Sequence, residues 1–200
     1  SGLVGLGKLG IAGGQCYVDS KSNPTLFFKH MEIGQLANVH NAVLAHVLAS
    51  QKGLSPTLYA VHLKLADDRD VKLDVARTSL PQVYATLKEA GSRGLDDVLF
   101  EMEYIDVTNV WLPSSRCKLG KSQCEEIMER ALDSLGSIRA PFDIDCINCR
   151  ISHGDLHREN VRFNVNTSQV MFIDWDRATF QITMDADSDA VQFMIQYESE

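Results

Sequence analysis

The segment "ISHGDLHREN", followed after a short interval by "VMFIDWD", gathers the residues whose types and spacing can do chemistry. His153, Asp155 and Asn160 fit the pattern H-x-D-x-x-x-x-N, and Asp174 lies 174 − 155 = 19 residues beyond Asp155. Phosphoryl transfer needs a carboxylate that orients an acceptor hydroxyl and takes its proton, together with oxygen ligands that hold Mg²⁺ on nucleotide phosphates. A loop aspartate, an asparagine five residues on and a second aspartate carried back by a hairpin supply those groups.

The opening "GLVGLGKLG" carries a second candidate, Gly5-x-Gly7-x-x-Gly10, which fits both the dinucleotide fingerprint and the glycine-rich loop of kinases. A dinucleotide unit requires a buried strand before the first glycine and a helix starting inside the motif, with an acid about 20 residues on. Four residues precede Gly5, and "IAGGQCYVDSKSNP" disfavours a helix, while "QCYVD" favours a strand. Asp19 and Glu32, the acids at hand for a ribose, have no strand end to sit on. A strand–loop–strand hairpin over ATP phosphates fits better. Gly13 and Gly14 remain alternative turn residues, and a flexible glycine-rich segment is the bland reading.

These motifs resemble the kinase-fold phosphotransferases, nearer the aminoglycoside phosphotransferase and choline kinase-like branch than ordinary protein kinases. "HGDLHREN" stands where protein kinases have an H-R-D loop, and "IDWD" where they have D-F-G. The resemblance implies an α+β, bilobal protein kinase-like fold: an N-lobe antiparallel sheet with one long helix over residues 1–105, and a short, incomplete helical C-lobe over residues 106–200. It implies Asp155 as catalytic base, Asn160 and Asp174 as Mg²⁺ ligands, His153 as the histidine that braces the loop, and ATP between the lobes. Lys29 in "LFFKHM" resembles the strand lysine of the α- and β-phosphates, and "FEMEYID" the hinge that holds adenine, at Glu101, Met102, Glu103 and Tyr104. Two departures weigh on activity. The helix position where the lysine's glutamate partner is expected falls near Asn41, and 200 − 174 = 26 residues follow Asp174. Asp187 or Asp189 would brace the catalytic loop, or belong to an acidic solvated loop. Asp176 is an additional acid near the metals or a surface aspartate.

The elements that must position these residues are legible in the hydrophobic pattern. "PTLFFKHM", "TLYAVHLKL", "VKLDVA" and "DDVLFEMEYID" read as strands, and "VRFNV" and "QVMFID" as a hairpin joined through "NTS". Leu36, Val39, Val43, Leu44 and Val47 recur as in an amphipathic helix ending at Gly53; "LPQVYATLKEAG" predicts a helix closed by Gly91. A further helix is expected from about Ser122 to Arg139, with Ile127, Ala131, Leu132 and Leu135 on one face. Trp111 and Trp175 read as core anchors, and His40 and His46 as surface or packing residues.

Composition bounds the partners. A net charge of −8 and pI near 5.2 argue against nucleic acid or an anionic membrane as partner, and no run reaches the ~18 apolar residues of a membrane span. Five cysteines, including the lone pair in "CINC", read as reduced thiols rather than a disulfide scaffold or zinc site. The expectation is a soluble, cytoplasmic protein and, with no initial Met and "QYESE" soon after the best motif, a fragment. The resemblance implies a phosphotransferase with ATP and Mg²⁺ as cofactors and a hydroxyl-bearing acceptor, small molecule before protein. Its rival is a pseudokinase module that binds nucleotide or a partner without transfer.

Overall fold

The computed structural model describes residues 2–8, 15–32, 38–109, 120–142 and 149–182. They fall into two units, Ser1–Leu44 with Pro56–Ile105, and Ala45–Ser55 with Asp106–Glu200.

The first unit holds a six-stranded antiparallel sheet. Val4–Lys8 (β1) pairs with Gln15–Val18 (β2), which pairs with Leu26–Glu32 (β3). Leu58–Leu65 (β4) and Asp70–Asp74 (β5) form the hairpin expected around "ADDRD", with Asp68 at φ +62° in its turn. Leu95–Glu103 (β6) lies between β3 and β4, giving the order β1-β2-β3-β6-β4-β5. Along β6 the burial alternates with period two: Val98, Phe100 and Met102 are buried, while Asp97, Leu99 and Glu101 are partly exposed. On the exposed side Glu101 accepts from His62 at 2.7 Å and Lys72 at 3.0 Å. Burial raises the Glu101 carboxyl, but those two donors outweigh it and hold it below its ordinary range.

The β2–β3 turn is fixed by Asp19. Its carboxylate accepts from the Thr25 hydroxyl at 2.6 Å and from the amides of Thr25 and Leu26 at 2.9 and 3.0 Å. The Thr25 hydroxyl first, then the two amides, lower its pKa to about 2. The carboxylate named as a ribose ligand is thus committed to a turn.

Val39–Gln51 (α1) ends as expected at Gly53. Its φ of +70° allows the amides of Gly53 and Leu54 to reach the carbonyls of Ser50 and Ala49 at 2.9 Å, a left-handed cap that glycine adopts without steric penalty. The helix is not amphipathic: Val39 and every residue from Ala42 to Ala49, His46 included, are buried, as in a helix enclosed by core. Its residues from Ala45 onward belong to the second unit. Leu80–Arg93 (α2) runs through Gly91 and stops at Gly94, φ +89°; a glycine inside a helix costs only about 1 kcal/mol, so periodic burial of Val83, Leu87 and Ala90 carries the helix past it.

In the second unit, Val107–Asn109 (β7) is a strand the hydrophobic pattern did not reveal. Lys121–Gly136 (α3) buries Met128, Ala131, Leu132 and Leu135, spaced as one helical face, while Ile127 is half-buried. Arg150–Ser152 (β8) follows. The expected hairpin is present as Val161–Asn164 (β9) and Gln169–Phe172 (β10), in the order β10-β9-β7. Thr179–Gln181 (β11) pairs with β8. Ala45–Ser55 groups here because the Leu54 carbonyl accepts from the Phe172 amide at 2.7 Å, and the buried Ser55 hydroxyl from Trp175 Nε1 at 3.0 Å.

Cys149, fully buried, is disulfide-bonded, with its partner outside the described residues; Cys16 and Cys124 remain thiols. This corrects the reading of all five cysteines as reduced. An odd count excludes complete pairing but not one bridge, and the support that thiols gave to a cytoplasmic location falls away. Among the described residues no helix is long and apolar enough to cross a membrane.

Candidate active site

Two short pairings build the site in the second unit. β8 leads into His153-Gly154-Asp155, and β11 follows the turn Asp174–Ala178; the register Ser152↔Thr179 lays these two turns side by side. The β9–β10 register Val161↔Phe172 does the same for Asn160 and Ile173, whose amide donates to the Asn160 carbonyl at 2.9 Å. His153, Asp155, Asn160 and Asp174 are thereby collected by main-chain pairing.

His153 is completely buried. Its Nε2 donates to the Ile173 carbonyl at 2.9 Å, and its ring lies against Trp175 at a centroid distance of 4.6 Å. The histidine therefore ties the strand before Asp155 to the residue before Asp174. Trp175, 2% exposed, anchors the second turn.

Gly154 has φ +76°, and a Cβ there would stand 2.1 Å from the Arg177 carbonyl oxygen. No side chain fits that gap, so the glycine lets the two turns approach. Asp174 itself has φ +69° and ψ +63°, a left-handed conformation uncommon for a residue with a Cβ. Such outliers persist where surrounding structure imposes them.

Asn160 is buried and closes a single 3-10 turn, Arg158–Asn160. Its Nδ2 donates to the Asp155 carbonyl at 2.9 Å and lies 3.1 Å from His157 Nε2. With the nitrogen used to shape the loop, Oδ1 is the atom of this side chain left for a cation. Asp155 is 37% exposed, with Arg177 Nη1 3.8 Å from Oδ1 and His157 Nε2 3.8 Å from Oδ2. The carboxylate is thus reachable and flanked by basic groups. Asp174 and Asp176 are half-buried.

Among the described residues no group of three or more His, Cys, Asp or Glu side chains could hold a metal. An amide oxygen and a carboxylate are a hard but incomplete ligand set, suited to Mg²⁺ that brings phosphate oxygens and waters with it.

The remaining candidates belong to the first unit. Gly5 and Gly7 lie in β1, antiparallel to β2, with a register shift between them. Gly10 lies outside the described residues, as do Gly13, Gly14, Trp111, Asp187 and Asp189. Lys29 pairs with Cys16 and Phe100, and Phe100 in turn with Val61; opposed residues share a face, and these three neighbours are buried. Lys29 itself is half-buried on that face. The amides of Glu103 and Tyr104 donate to the carbonyls of Thr57 and Thr25 at 2.8 and 2.9 Å. Of the four positions expected to hold adenine, these two have their amides already bonded to carbonyls just before β4 and β3. Sequence reasoning also passed over Arg177, whose only signal was its place directly after "IDWD".

No family model matches the chain, and no curated protein matches it. Among solved structures it is similar to amicoumacin kinase hAmiN in complex with AMP-PNP, Ca²⁺ and Ami, at 13% identity and a TM-score of 0.45, over 95% of this chain. The chain spans 64% of that protein's length.

Proposed function

We propose that this chain is a kinase-like phosphotransferase, dependent on ATP and Mg²⁺, that moves the γ-phosphoryl group to the hydroxyl of a small-molecule acceptor. The observation that carries the reading is Asn160: its amide nitrogen holds the Asp155 carbonyl, and its oxygen remains at the hairpin end that also bears Asp174. Bound MgATP would supply the transferable phosphoryl group and the charge that screens it.

Asp155 orients the acceptor hydroxyl and takes its proton as the oxygen bonds to the γ-phosphorus and the bond to the β–γ bridging oxygen breaks, releasing ADP. Asn160 Oδ1 and the Asp174 carboxylate would hold Mg²⁺. His153 and Trp175 keep the two turns in register. In the first unit Lys29 would serve the α- and β-phosphates, Gly5, Gly7 and Gly10 would cover phosphate, and the turn after Glu103 and Tyr104 would receive adenine through carbonyls or the Ile105 amide. Residues 1–105 and 106–200 would be the two lobes.

The test separates the two aspartates. Asp155→Asn is expected to keep MgATP affinity and lose about 10²–10⁴-fold in turnover, as removal of a general base does. Asp174→Gly is expected to weaken MgATP binding while gaining about 1 kcal/mol of stability from the relieved left-handed conformation. Wild-type turnover in both variants refutes the mechanism. A second reading, a module that binds nucleotide without transfer, draws on the first turn of α1, which carries no acid and has Asn41 where an ion-pair partner was expected. Under it, MgATP raises the melting temperature of the wild-type chain but no labelled phosphate leaves ATP.

A further inference from the structure

The Arg177 guanidinium has no part in the transfer just described, and its placement calls for one. Its main chain is pinned: the Arg177 carbonyl packs on Gly154, and the next residue, Ala178, is 1% exposed and donates its amide to Trp175 at 2.9 Å. Its side chain is 64% exposed, and its nearest charged partner among the described residues is Asp155, at 3.8 Å. That separation exceeds hydrogen-bond reach. An exposed pair of this kind contributes almost nothing to stability, so stability does not account for an arginine held at the rim of the candidate base. The guanidinium keeps its fork of donors, which matches a carboxylate or phosphate in a two-point contact.

We infer that Arg177 is a specificity-determining residue, and that the acceptor carries an anionic group close to the hydroxyl presented to Asp155. The chain's net charge of −8 repels anions at long range, so a local cation is what such an acceptor requires. The inference rests on the phosphotransferase reading for the word acceptor, but the anion contact itself does not.

The experiment uses the full 200-residue chain with ¹⁵N-labelled arginine. The Arg177 Nε–H signal is assigned by its loss in Arg177→Gln and followed during titration with glycerate, glycerol and 3-amino-1,2-propanediol, each with AMP-PNP and Mg²⁺. A saturable shift with glycerate and not with the neutral or cationic analogue supports the assignment. An equal shift with glycerol, or none with glycerate, overturns it. A shift caused by AMP-PNP and Mg²⁺ that glycerate does not alter assigns the arginine to the donor phosphate, and also overturns it. Kinetics add a second arm: with glycerate as acceptor, Arg177→Gln is expected to raise KM about tenfold at nearly constant kcat, with Arg177→Lys recovering part of the loss. A glycerate-specific shift while no labelled phosphate leaves ATP, either to an acceptor or to water, upholds the anion site and refutes the phosphotransferase; transfer that prefers glycerol does the reverse.

Discussion

Two glycine-bearing stretches look equally conspicuous in the sequence, and the fold uses them differently. At Gly5 in β1, an added Cβ would meet Tyr17 at 3.9 Å, an ordinary contact. At Gly154 it would stand 2.1 Å from a backbone oxygen, in a conformation with φ +76°. The first glycine is required, if at all, by something that binds over it. The second is required by the protein itself, because two acid-bearing turns cannot approach without it. A glycine pattern therefore says little until the neighbour that faces it is known.

Substitution tests this contrast directly. Gly154→Ala is expected to cost about 1–3 kcal/mol for the left-handed backbone alone, with overpacking of similar size added, and to be read as a lowered urea midpoint. Gly5→Ala should leave stability unchanged or raise it by about 0.4–1 kcal/mol, because its backbone is compatible with alanine. If Gly5→Ala instead weakens MgATP binding while its urea midpoint holds, the hairpin's glycine serves phosphate. Equal destabilisation at both positions would end the distinction.

A smaller effect sharpens the account of how the second turn is anchored. Ser55→Ala leaves the buried Trp175 Nε1–H without its acceptor and is expected to cost about 1–3 kcal/mol. Trp175→Phe removes the donor as well as indole volume, and the double variant should cost clearly less than the sum of the two. Strict additivity in a double-mutant cycle would mean that the hydrogen bond does not couple them.

The smallest effect lies in the first unit, where a turn is held by a carboxylate. The folded-state pKa of Asp19 is about 2, below its ordinary value of 3.8. Its contribution is therefore present above about pH 4 and lost as pH falls toward 2. Asp19→Asn should flatten the stability-against-pH curve in that window and leave the slope from pH 5 to 7, set by other groups, unchanged. An unaltered acid limb would show that the Thr25 and Leu26 contacts do not carry the pH dependence.

How much could be read beforehand differs between the same two regions. Strands β3 to β6, the β9–β10 hairpin and the Gly53 cap were legible because local pattern and turn chemistry determine them. The candidate acids were legible too, since a hairpin between Asn160 and Asp174 is a short-range feature. β7, β8 and β11 were not: each is three residues long, too short for a period to register, and is a strand only because a distant partner pairs with it. The enclosure of α1 escaped for a similar reason, since burial on all sides depends on what surrounds a helix.

The sequence by itself determined which chemistry is on offer: an aspartate, an asparagine and a second aspartate at loop-and-hairpin spacing, and a lysine on an apolar strand. Tertiary structure alone decided that the β8–β11 ladder presses Gly154 onto Arg177, that Asn160 turns its nitrogen to the Asp155 carbonyl, and that the amides of Glu103 and Tyr104 bond to the carbonyls of Thr57 and Thr25. Side-chain type is written residue by residue, but which donor is already used and which charge stands beside a base follow from register between segments far apart in the chain.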